Sequence, residues 1–174
     1  SLADSRGAYK VLTLPAMPER GEIELVFHIS NYLHRSGGLW FSHYLGTVEQ
    51  INRIREKGLF ADAILLGALF IIGFYHLALF FNRRQELPVL HFGLFCLMVA
   101  FRVPFTGEFF LTQLFPEFPL DLQLRFEYTT VYITPVFIIA FIAYAYAEKT
   151  RKFILCYSWI VALLFFATLL LFQP

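Results

Sequence analysis

The sequence has 174 residues, of which 58% are hydrophobic and 16% are charged, with a mean hydropathy of +0.61. Soluble domains of this length have about a quarter charged residues, so this composition excludes an ordinary soluble domain and favours a protein embedded in lipid. The net charge of +1 offers no basic surface for a nucleic acid. Cys96 and Cys156 both lie in apolar segments, so no disulfide framework is indicated.

The first 46 residues are predicted to form β-structure. Segments rich in β-formers lie at residues 9–14, 23–29 and 39–45, and turns containing proline or glycine separate them. Three strands of this length bury too little apolar area to be stable alone. We therefore expect them to be the end of a larger β-sandwich.

Residues 47–62 are predicted to form a helix that leads into the membrane. Thr47 and Gln50 have the spacing of a capping box, which begins a helix, and Gly58 is predicted to end it. A short helical junction can transmit a rotation or a piston movement from an outer domain to a membrane helix. A helical spacer without such a role is the open alternative.

Four apolar segments follow, at residues 63–82, 87–105, 124–147 and 153–172. Each is close to the roughly 20 residues that a helix needs to cross about 30 Å of hydrocarbon. A buried helix of a soluble protein could account for one such segment, but not for four in a row, so residues 63–174 are predicted to be a transmembrane region. The sequence starts at Ser1 rather than methionine and ends at Pro174, just after an apolar segment, so we interpret it as an internal fragment of a longer protein.

The basic residues of the loops predict the orientation of these spans. Cytoplasmic loops are enriched in Lys and Arg. The loops after the first and third spans carry five such residues, namely Arg83, Arg84, Lys149, Arg151 and Lys152. The loop between them, residues 106–123, contains three acidic residues and no basic residue. We therefore place the N-terminal segment outside the cell. Three basic residues before the first span argue against this, but folded domains translocate largely regardless of charge.

Two charged residues inside the apolar segments are candidates for an intramembrane ion pair. Arg102 lies near the outer end of the second span and Glu127 near the outer start of the third, so both are expected at similar depth. A charge in hydrocarbon costs about 3 kcal/mol on insertion scales, which favours a partner for each. Alternatively, Arg102 extends unaided to the lipid headgroups, and Glu108 and Arg125 are competing partners.

Other polar and small residues in the spans favour architecture over chemistry. Pro135 is predicted to kink the third span, because proline removes a backbone hydrogen bond. His76 and His91 have no further ligands at metal-binding spacing, so packing or interfacial roles are favoured over a metal site or a proton relay. Gly67 and Gly73 offer small faces for close helix contact. No catalytic motif occurs in the sequence, so no catalytic residue, metal or cofactor is predicted.

Residues in order along the chain resemble one family of bacterial receptors. The sequence ISNYLHRSGGLW at residues 29–40 resembles the end of the extracytoplasmic sensor domain of the bacterial seven-transmembrane receptors with diverse intracellular signalling modules. Further matching positions in and between the spans are Gly67, Gly73, Tyr75, His76, Arg102, Gly107, Glu108, Arg125, Glu127, Tyr128 and Pro135. The resemblance extends over about residues 25–140.

This resemblance implies a fold and a function. The expected fold is an all-α helical membrane bundle of about four transmembrane helices, part of a seven-helix domain. Residues 1–46 would be the last strands of a truncated jelly-roll domain similar to carbohydrate-binding modules. The implied function is that of a sensory receptor of the bacterial inner membrane. It would bind a small extracytoplasmic ligand, with a carbohydrate as one candidate, and relay the signal to a cytoplasmic kinase, nucleotide cyclase or phosphatase module. The ligand-binding residues are not identified.

A transporter or channel fragment is the alternative hypothesis. Transporters often contain helices interrupted by Gly or Pro at corresponding positions of two repeats, and the spans lack such a pair, which favours the receptor. In either case this part of the chain is expected not to be an enzyme. The expected partners are the lipid bilayer and the small ligand, with a second copy of the chain as an open option and no nucleic acid.

Overall fold

The computed structural model describes residues 43–106, 111, 114–115 and 118–171, together with residues 13, 14 and 26. Most of the three predicted strands, and with them the jelly-roll expectation, lie outside these residues. None of the described residues belongs to a β-strand. The described chain is helical: α1 is Val48–Asn82, α2 is Leu87–Arg102, α3 is Leu120–Tyr146 and α4 is Arg151–Leu171, and a 3₁₀ turn, Val103–Phe105, extends α2.

Four described helices are long and apolar enough to cross a membrane, which confirms the predicted number and order of the spans. Their boundaries differ from the prediction by a few residues. The third helix begins at Leu120 rather than at residue 124, because Pro119 has the extended backbone of an N-cap and Asp121 adds a favourable negative charge to the first turn. The fourth begins at Arg151 rather than at residue 153.

Helix α1 is one uninterrupted helix of 35 residues, about 52 Å long at 1.5 Å per residue. The predicted capping box is confirmed: Gln50 N donates to Thr47 Oγ1 at 3.3 Å, and Thr47 N donates to Gln50 Oε1 at 3.0 Å. The prediction that Gly58 ends a separate helix is wrong. A glycine inside a helix costs only about 1 kcal/mol relative to alanine, and the helix-forming residues that follow Gly58 outweigh that cost.

The four helices form an open row in which each packs against the next along the chain. Helix α2 lies between α1 and α3, and α3 lies between α2 and α4, whereas contacts between helices that are not sequence neighbours are few in the described residues. In the most apolar part of each helix, 6% of the residues are buried for α1, against 22% for α2 and α3. The core is therefore centred on the α2–α3 pair.

Small residues set the contact between α1 and α2. Gly73 and Gly93 are both buried where these helices cross, as the small-face prediction expected for Gly73. Gly67 differs, because a Cβ placed on it would meet nothing within 4 Å. Only one of the two glycines singled out in α1 is therefore required for close packing.

Candidate functional site

The α2–α3 interface carries a pair of opposite charges at one end of the bundle. Arg102 is the last residue of α2, and Glu127 is the eighth residue of α3. The structure brings them together, with Arg102 Nη2 3.6 Å from Glu127 Oε1. This separation is a charge contact rather than a hydrogen bond. The Arg102 and Glu127 side chains are 33% and 25% exposed, so the pair is only partly buried.

Of the two competing partners expected from the sequence, the structure describes only Arg125. Arg125 Nε donates to Asp121 Oδ2 at 2.9 Å, one turn earlier on the same helix, and so does not compete for Glu127. Glu108 lies outside the described residues. Arg125 and Asp121 therefore form a separate, self-contained pair at the same end of the bundle.

Gln123 is the functional candidate that sequence reasoning missed. It lies one turn before Glu127 on α3 and is 1% exposed. Its Nε2 donates to the carbonyl oxygen of Phe105 at 3.4 Å, which joins α3 to the 3₁₀ turn after α2. Its Oε1 is buried and has no hydrogen-bond partner within the described part of the chain. The spacing of four residues from Glu127 was the available signal, because it places both on one helix face.

Aromatic rings surround this end of the interface. The Phe105 ring lies 5.4 Å from the ring of Phe126 and 5.3 Å from the ring of Phe101, measured between centroids. Phe105 is 6% exposed, whereas Phe101 and Phe126 are 45% and 40% exposed. The polar groups therefore lie beside an apolar surface that strengthens electrostatic interactions by excluding water.

Two of the three threonine hydroxyls in α3 bond to their own helix. Thr129 Oγ1 donates to the Arg125 carbonyl oxygen, and Thr130 Oγ1 donates to the Glu127 carbonyl oxygen, both at 2.6 Å. Thr134 Oγ1 is the exception, since it is buried with no partner among the described residues. The next residue, Pro135, lies inside the continuous helix α3 and can donate no backbone hydrogen bond. The kink at Pro135 stays a prediction.

The two histidines occupy the other half of the bundle and contact aromatic rings. His76 Nδ1 donates to the Ile72 carbonyl oxygen at 2.8 Å, and its ring lies 4.8 Å from that of Phe92. His91 Nδ1 donates to the Leu87 carbonyl oxygen at 2.7 Å, and its ring stacks on Tyr144. These contacts are those of packing side chains. In the residues described by the structure, no group of three His, Cys, Asp or Glu side chains could hold a metal ion.

Comparison with known proteins identifies the class to which this arrangement belongs. The four apolar helices define a multi-pass membrane protein. A family model described as 7TM diverse intracellular signalling matches residues 59–174, from within α1 to the end of the sequence, and the chain belongs to this family of membrane receptors. This match confirms the resemblance to the family for the membrane-spanning part of the chain, and the sensor-domain segment at residues 29–40 lies outside the matched residues. No curated protein and no solved structure matches the chain.

Proposed function

We propose that the chain acts in a sensory receptor of the bacterial inner membrane that binds a small ligand outside the cell. In this proposal, residues 1–46 are the last strands of an extracytoplasmic jelly-roll domain, and residues 47–62 connect that domain to the membrane. A carbohydrate is the candidate ligand, because residues 1–46 resemble the end of a sensor domain that is similar to carbohydrate-binding modules. The signal passes through the helices to a cytoplasmic output module, which performs the chemistry.

The observation that carries the proposal is the continuity of α1. Its length of about 52 Å exceeds the roughly 30 Å of a hydrocarbon core, so about 15 residues project beyond the membrane. The projecting part contains Gly58 but no break. A rotation or a displacement applied near Thr47 would therefore reach Asn82 on the opposite side without being absorbed by a flexible linker.

The charge distribution supports the orientation in this proposal. Arg83 and Arg84 follow the end of α1, and Arg151 and Lys152 begin α4. Because α1 to α4 are sequential spans, these two groups lie on the same side of the membrane. An excess of Lys and Arg marks the cytoplasmic side. The Thr47 end of α1 is then extracytoplasmic.

Insertions into the projecting part of α1 test the relay in the full-length receptor. Each alanine inserted after Lys57 rotates the segment before it by 100°, so two residues almost invert the register and seven restore it to within about 20°. We expect the output response to a panel of sugars to be lost with two alanines and regained with seven. A Gly-Gly-Ser-Gly insertion at the same place should uncouple the response. An unchanged response with that flexible insertion would contradict the relay.

A flux measurement separates the receptor from the transporter alternative. The full-length protein is reconstituted into liposomes, and uptake of the same sugars is measured with and without ion gradients. A receptor should bind without moving its ligand. Accumulation driven by a gradient would overturn the receptor proposal, whatever the insertion variants do.

A further inference from the structure

A cation and an anion lie close together at one end of the α2–α3 interface. Arg102 Nη2 lies 3.6 Å from Glu127 Oε1, and Gln123, one turn before Glu127 on α3, holds the end of α2 through its bond to the Phe105 carbonyl oxygen. We propose that Arg102 and Glu127 bind the headgroup of a phospholipid of the phosphoethanolamine class. This site is independent of the ligand proposed for the outer domain.

The Arg102 and Glu127 side chains leave hydrogen-bonding capacity unused. A guanidinium offers five N–H donors and a carboxylate about four lone-pair positions. Apart from their mutual contact, the Arg102 guanidinium and the Glu127 carboxylate make no hydrogen bond or ion pair within the part of the chain that the structure describes. The Gln123 amide, whose side chain is 1% exposed, bonds to the Phe105 carbonyl oxygen and so fixes the end of α2 against α3 beside the pair.

The chemistry of these two side chains matches one class of headgroup. A phosphate is recognised by arginine through short, charge-assisted hydrogen bonds. A primary ammonium carries three N–H donors, which suit the partly exposed Glu127 carboxylate. Phosphoethanolamine has both groups. Phosphocholine has no N–H donor and phosphoglycerol has no cation, so neither offers both a phosphate for Arg102 and an ammonium N–H for Glu127.

The position of the pair along the helices favours a lipid over a free solute. Helix α2 and its 3₁₀ extension rise about 30 Å together, so Arg102 lies close to the boundary between hydrocarbon and headgroups. The sequence neighbours of the two charges, Phe101 and Phe126, expose 45% and 40% of their surface, and their rings lie 6.1 Å apart. This aromatic surface is available to the acyl chain of a lipid whose headgroup is bound by Arg102 and Glu127.

A lipid titration of the delipidated full-length protein tests the proposal. Binding of dioleoyl phosphoethanolamine, its N-methyl and N,N-dimethyl derivatives, and dioleoyl phosphocholine is measured by native mass spectrometry. We expect affinity to fall stepwise as N–H donors are removed, by about tenfold over the series, since hydrogen bonds to charged groups are the strong ones. Equal binding of the first and last lipid would overturn the proposal. This series needs no variant and so remains decisive if a variant fails to fold.

Variants locate the site. Glu127→Gln should reduce the preference for phosphoethanolamine over phosphocholine to within about twofold, because the charged acceptor is lost. Asp121→Asn is the matched control, since Asp121 is an acidic residue at the same end of α3 that pairs with Arg125. The preference should survive in this control. A preference that survives in Glu127→Gln, or equally tight binding of soluble O-phosphoethanolamine, would overturn the lipid site.

Discussion

Gly73 of α1 and Gly93 of α2 face each other across the helix crossing, backbone against backbone. A Cβ on Gly73 would lie 3.3 Å from the carbonyl oxygen of Gly93, and a Cβ on Gly93 would lie 3.1 Å from the carbonyl oxygen of Gly73. The Gly73 position is further closed by Leu97, whose Cγ and Cδ2 would be 2.7 Å from the added atom. In lipid, where apolar surface gives little driving force between helices, such close van der Waals contact is a main source of helix association.

Alanine at these crossing positions should weaken the protein. Gly93→Ala places a methyl group against the backbone of α1, which cannot move independently of the helix, and Gly73→Ala displaces Leu97. We expect each to cost about 1–2 kcal/mol of unfolding free energy, in the range of overpacked cores. Thermal unfolding in detergent measures the change.

Gly67→Ala is the matched control for this effect. The substitution is chemically identical and lies in the same helix as Gly73, but the added Cβ meets nothing within 4 Å. It should be neutral, or stabilising by up to about 1 kcal/mol through helix propensity. If Gly67→Ala, Gly73→Ala and Gly93→Ala changed the unfolding free energy by the same amount and in the same direction, the Gly73–Gly93 contact would have no special role.

Removing one member of the Arg102–Glu127 pair should leave the other charge without a partner and destabilise the protein. Because both side chains are a quarter to a third exposed, we expect Arg102→Leu or Glu127→Gln to cost about 1–3 kcal/mol, between the values for surface pairs and buried pairs. The double variant should cost less than the sum by at least about 0.5 kcal/mol. A double-mutant cycle on thermal stability in detergent measures this coupling.

The control for that cycle combines Arg125→Gln with Glu127→Gln. Arg125 pairs with Asp121, so its substitution should be additive with that of Glu127. Additivity in the Arg102–Glu127 cycle as well would mean that Arg102 reaches the headgroups unaided and that the two side chains do not interact.

Tyr144 should act as a link between three helices through its ring. The ring stacks on His91 of α2 with centroids 4.9 Å apart, and the Arg151 guanidinium carbon, at the start of α4, lies 5.0 Å from the ring centroid. Tyr144→Leu should cost about 1–2 kcal/mol, from the aromatic pair and the cation–π contact. Tyr144→Phe retains the ring and should stay within about 0.5 kcal/mol of the parent. An equal loss in both variants would assign the effect to the hydroxyl group.

The proposed orientation predicts which positions an impermeant maleimide reaches in intact cells. In a background with Cys96 and Cys156 replaced by alanine, Ser36→Cys and Thr112→Cys should be labelled from the periplasm. Gln85→Cys, in the loop after α1, should be labelled only after the membrane is permeabilised. Labelling of position 85 in intact cells would reverse the orientation, and with it the assignment of the N-terminal segment to the outside.

The helices could be predicted from the sequence because the membrane imposes its own length on each apolar segment. The start of α1 was also predictable, since the Thr47–Gln50 capping box is a local signal that the structure confirms. The continuity of α1 through Gly58 could not be predicted from the sequence. A single glycine changes helix stability by about 1 kcal/mol, and the sequence does not show how its neighbours offset that amount.

The site was predictable only in part, and the missing part is tertiary. The charges of Arg102 and Glu127 stand out in apolar segments, so their possible contact could be inferred from depth alone. Gln123 does not stand out, because its importance comes from a bond to the backbone of Phe105, 18 residues earlier. The difference between Gly67 and Gly73 likewise depends on which face of α1 meets α2, and periodicity does not specify that face.

The row of helices also bears on how the protein is made. Each helix packs mainly on its immediate predecessor, so the surface that a newly synthesised helix requires is already in the bilayer when the helix enters it. Contacts between sequence neighbours keep the contact order low, and assembly can keep pace with translation from the N-terminal side. A ribosome stalled after α2 or α3 would therefore leave a correctly paired set of helices that later helices extend rather than rearrange.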